Sequence, residues 1–128
     1  MPHLSIEYSA NLEDRTDIQG LCEHLRAAAA QIEAFPMAGI RVRALKAIHY
    51  SIADGSPEHA FADISVRLRG GRPAEVKRRA ADHIFEAAKE YLTPVLSTSS
   101  LALSLEVRDI DPAISPKTGT IRDHLREA

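Results

Sequence analysis

Twice along this chain the apolar spacing changes from every second residue to every third or fourth and back, and that double switch constrains the fold most. Between His3 and Tyr8, Leu4, Ile6 and Tyr8 alternate with His3, Ser5 and Glu7, the period of a half-buried strand. From Asp17 to Ala34 the residues Ile18, Leu21, Leu25, Ala28 and Ile32 share one helical face, and the run Ala27 to Ala30 favours helix. Phe35-Pro36 ends it. The segment from Ile40 to Ile52 is rich in β-branched residues and leads to the turn pair Asp54-Gly55, which predicts a second strand bent or broken near Leu45.

The same order then repeats. Between Phe61 and Arg69, Ile64, Val66 and Leu68 alternate with Asp63, Ser65, Arg67 and Arg69, and Gly70-Gly71 closes the strand. Pro73 suits a first helical turn, and Val76, Ala80, Ile84, Ala87, Tyr91 and Val95 draw a stripe that Pro94 should end or kink. Leu101, Leu103, Leu105 and Val107 form a fourth strand, followed by a loose tail with a short helix over Ile121 to Leu125. The expected fold is α+β: one domain in which two β-α-β units, residues 1–57 and 58–110, make a four-stranded sheet with both helices on one face. Residues 111–128 are the tail. The other sheet face carries Arg41, Arg43, Arg67, Arg69, Glu7, Glu106 and Arg108, too polar for a private core and suited to subunit contact, ligand or solvent.

A chain of 128 residues supports one core. It contains no apolar run near the roughly 18 residues that span a bilayer, and no secretory signal pattern at its start. One cysteine cannot form an internal disulfide, so a cytoplasmic setting is expected. A net charge of −2 gives no general attraction to nucleic acid. Neither nucleic acid nor membrane is an expected partner.

Six scattered histidines offer no metal-ligand spacing, and Cys22 reads as a helix residue without chemistry. The basic run Lys77 to Arg79 reads as a solvated helix face. In the loop Arg69 to Pro73, the glycine pair ahead of a helix start can present N–H groups to an anion, with Arg72 beside them, although an ordinary turn explains it too. Arg41 and Arg43 share a strand face and call for an acidic neighbour, either a bound anion or Glu7 or Glu106. Pro2 is a strand starter on one reading. On the other, removal of Met1 frees its secondary amine, and burial with nearby arginines lowers the pKa of such an amine until it works as a base.

The stretches PHLSIEYS, FPMAGIRVR, ADGSPEHAF, GGR and LALSLEV, in this order, resemble the 5-carboxymethyl-2-hydroxymuconate Δ-isomerase family of the tautomerase superfamily, over Pro2 to about Asp111. The resemblance implies a homotrimer with a site near each subunit boundary, no metal or organic cofactor, and a small anionic di- or tricarboxylate substrate. It implies that Pro2 moves a proton from the 2-hydroxyl of 5-carboxymethyl-2-hydroxymuconate to C5, giving 5-oxopent-3-ene-1,2,5-tricarboxylate in homoprotocatechuate catabolism. Arg41 would bind a carboxylate and polarise the dienol, with Arg72 and, more weakly, Arg43 as further anion contacts. A relative acting on another enol, or a non-catalytic binding module on the same plait, is the alternative.

Overall fold

The computed structural model describes residues 2–126, and its strands run β1 (His3–Ser9), β2 (Arg41–Ala47), β3 (Ala60–Arg69) and β4 (Leu101–Ile110). Helix α1 (Ile18–Ala30) joins β1 to β2, and α2 (Ala74–Leu96) joins β3 to β4. The sheet order is β2-β1-β3-β4, parallel within each β-α-β unit and antiparallel between the two inner strands. This is the expected four-stranded sheet. Leu4, Ile6, Ile64 and Val66 of the inner strands meet Leu21, Leu25, Ile84 and Leu92 of the two helices in one buried cluster, so both repeats share a core. The helices pack on each other and cover a single face, because alternation gives each strand only one apolar side.

Element boundaries differ from the sequence pattern for physical reasons. Strand β2 stops at Ala47 instead of Ile52 because its partner β1 stops at Ser9, which faces Ala47, and among the described residues no strand remains to pair with the rest. It runs unbroken past Leu45, which stands opposite Glu7. Helix α1 ends at Ala30, four residues short of the expected end, and the chain reaches Pro36 through turns. Helix α2 continues through Pro94 for two residues, since a proline in the last turn costs one ladder bond. Its buried line is Ala80, Ile84, Ala88, Leu92 and Val95, leaving Ala87 and Tyr91 on the border. Pairing of Arg69 with Ile110 carries β4 three residues past Val107. The alternation could not show the 3-10 turns at Ala10–Asp14 and Met37–Gly39.

Ser9 is the buried polar exception. Its Oγ accepts the Phe61 N–H at 2.9 Å where β1 and β3 part, satisfying a donor that the ladder leaves over. Ser9→Ala is expected to cost about 1–3 kcal/mol, the penalty for an orphaned buried donor. Urea unfolding checks this, and an unmoved midpoint would show that the hydroxyl is dispensable.

Candidate active site

Pro2 is buried immediately ahead of β1, and its carbonyl accepts the backbone N–H of Arg41 at 3.3 Å as β2 begins alongside. The register then sets Arg41, His3, Arg67 and Arg108 in one row across the four strands on the open face. The next row is Arg43, Ser5, Ser65 and Glu106, and the one beyond holds Leu45, Glu7, Asp63 and Ser104. Charge is therefore graded along the sheet, basic at the Pro2 end and acidic at the other.

His3 registers that gradient. Burial, then Arg41, Arg67 and Arg43 in that order, push its imidazole below the usual histidine value, and its Nδ1 is buried without a hydrogen-bond partner. Pro2 precedes His3 on the strand, and alternation turns it to the buried face that Leu4 shares. Met1, whose removal would free the Pro2 nitrogen, lies outside the described residues. The sign for His3 follows from linkage: the unfolded chain takes up a proton near 6.5 and the folded chain only at lower pH, so His3 withdraws stability as pH falls below 6.5. His3→Gln is expected to flatten that fall, read as urea midpoints at about pH 7.5 and 5.5. An unchanged slope would place the loss in other groups.

The sequence left Arg41 and Arg43 between an anion and a salt-bridge ladder. Among the described residues neither arginine meets a carboxylate: Glu106 pairs with Arg108 at 2.7 Å, and Glu7 stands two positions from Arg43's row. The expected ladder with Glu7 or Glu106 does not form, and Arg41 and Arg43 are both exposed. Arg72 lies at the same end of the sheet but is tethered, with Nη2 donating to the Ala34 carbonyl at 3.0 Å and Nη1 to that of Arg69 at 3.3 Å. Of its five N–H groups, three remain for a ligand. The Gly70 N–H, one of the donors expected for an anion, is spent on Ile110 at 2.8 Å. The basic run on α2 is paired, Arg78 and Arg79 with Glu75 and Lys77 with Asp109. Burial raises the pKa of the Cys22 thiol, which suits a packing role.

Periodicity could not reveal the part played by the tail. Its last 3-10 turn, Ile121–His124, rests on the Met37–Gly39 turn and closes a cleft of about 440 Å³ whose lining includes Arg41, Lys117, Ile121 and Arg122. The expected short helix is present as this turn, ending one residue early. His59, between Asp54 Oδ1 and Ser100 Oγ at 2.7 Å each, locks the loop between β2 and β3. Among the described residues no group of three or more metal-ligating side chains occurs, and no helix is long and apolar enough to cross a membrane.

The mixed four-stranded sheet with two helices on one face is the tautomerase fold. Within it, this chain belongs to the 5-carboxymethyl-2-hydroxymuconate isomerase family, whose profile matches residues 2–125. It is 29% identical over 121 residues to the 5-carboxymethyl-2-hydroxymuconate Delta-isomerase of Escherichia coli, a match covering 94% of this chain and 96% of that protein. A crystal structure of a 5-carboxymethyl-2-hydroxymuconate delta-isomerase superposes with TM-score 0.91 at 31% identity, covering 100% of this chain and 95% of the other. The isomerase of that name from Deinococcus radiodurans R1 gives 0.88 at 30% identity, over 98% and 95%. The chain is an isomerase by family.

Proposed function

We propose that this protein isomerises 5-carboxymethyl-2-hydroxymuconate to 5-oxopent-3-ene-1,2,5-tricarboxylate, with the free amine of Pro2 as the base. The observation that carries the reading is Pro2 at the head of an inner strand, beside arginines that no carboxylate of the described residues neutralises. The amine takes the proton from the 2-hydroxyl, the oxygen's electrons close a C2 carbonyl, and the diene shifts so that C5 accepts the proton back. Nothing is oxidised or reduced, so the balance calls for no cofactor.

Arg41 holds a substrate carboxylate and stabilises the dienolate charge as it develops. Arg43, one row further in, and the free N–H groups of Arg72 are further anion contacts. The exposed apolar side chains Leu45 (53% accessible) and Ile48 (68%), next to the graded charges, support assembly through the open face, which we read as a homotrimer. The cytoplasm, where an unpaired cysteine is usual, is the setting we assign. Loss of the dienol ultraviolet absorbance tests the reading when 5-carboxymethyl-2-hydroxymuconate is compared with 2-hydroxymuconate and phenylenolpyruvate. Fastest turnover of the first supports it, and faster turnover of either other enol overturns the substrate.

A further inference from the structure

Strands β4 and β2 form opposite edges of the sheet, yet the tail that leaves β4 ends on the turn that feeds β2. Its path therefore crosses the ends of β3 and β1, where Arg69 and Pro2 stand. Lys117 marks the crossing, since it borders both a hollow beside Arg69 and Ile110 and the 440 Å³ cleft beside Arg41. The tail thus roofs the end of the sheet that carries the base.

The charges in that cleft are uneven. Arg41, Lys117 and Arg122 line it against a single acid, Asp123, and none of the four is in an ion pair among the described residues. Three cations around one hollow repel each other unless an anion joins them, and one carboxylate leaves the cleft with an excess of two positive charges. Ile121, half exposed at 50%, and Ala38 add an apolar wall for a carbon skeleton. Arg41 belongs to both places, because its backbone N–H bonds the Pro2 carbonyl and the residue lines the cleft.

We propose that Lys117 and Arg122 bind the carboxylate on the substrate's carboxymethyl arm, so that the tail selects a triacid over a diacid. The inference rests on the isomerase reading above, and it assigns the tail a binding role in that reaction. Removing either cation weakens the grip on the third carboxylate while the reacting end, held at Pro2 and Arg41, keeps its geometry.

The test compares kcat/KM for 5-carboxymethyl-2-hydroxymuconate and for 2-hydroxymuconate, which lacks the arm, in Lys117→Met and Arg122→Met. Each variant is expected to lower the triacid-to-diacid ratio about tenfold, mainly through KM, as loss of a charge-assisted hydrogen bond does. Equal losses on both substrates, or an unchanged ratio, would overturn the proposal. Calorimetry with propane-1,2,3-tricarboxylate reads the cleft without turnover. Its affinity should fall about tenfold in each variant, and unchanged affinity would overturn the proposal. Wild-type protein inactive on both enols would refute the isomerase reading, and calorimetry would still decide the fate of the cleft.

Discussion

Capping the Pro2 nitrogen, by retained Met1 or by acetylation, is expected to lower kcat about a hundredfold to ten-thousandfold, the range that a general base contributes. An amide nitrogen has no lone pair available for a proton. The fold should survive the change, because Pro2 contributes to the sheet through its carbonyl, which holds the Arg41 N–H. Intact mass separates capped from processed chains, and the enol assay on each fraction measures the loss. Equal rates in the two fractions would remove Pro2 from the mechanism.

The second large effect belongs to Arg41. Its guanidinium is exposed and has no carboxylate partner among the described residues, while the backbone makes the strand contact. Arg41→Ala should therefore lower kcat/KM about a hundredfold to a thousandfold, as loss of one preorganised electrostatic contact does. Stability should stay within about 0.5 kcal/mol of the parent, the usual range for surface substitutions. Arg41→Lys keeps the charge without the planar fork, so part of the activity should return. A melting temperature that falls in step with activity would make Arg41 a structural residue instead.

The architecture was legible because period two and period 3.6 leave different marks on a sequence, and Leu4, Ile6, Ile64 and Val66 are buried as alternation requires. Strand lengths were less so. Whether Ile48 to Ile52 continues β2 depends on where β1 ends, a long-range fact that local propensity does not carry. The gradient at the Pro2 end was half legible: alternation puts Arg41 and Arg67 on the open face, but only register brings them to either side of His3. The sequence shows Arg72 beside a glycine turn, and its tether to Ala34, 38 residues away, has no local signal. The tail was hardest, since its Pro and Ser residues have no period and the place of Lys117 beside Arg41 depends on the chain crossing the sheet end.

Selective nitrogen-15 labelling of proline, with the Pro2 resonance followed against pH in processed protein, measures the charge state on which the chemistry turns. The account predicts an amine that loses its proton below the ordinary α-amino range of about 7.7 to 8.0. A Pro2 nitrogen that stays protonated above that range, or that behaves as an amide and does not titrate, would contradict it.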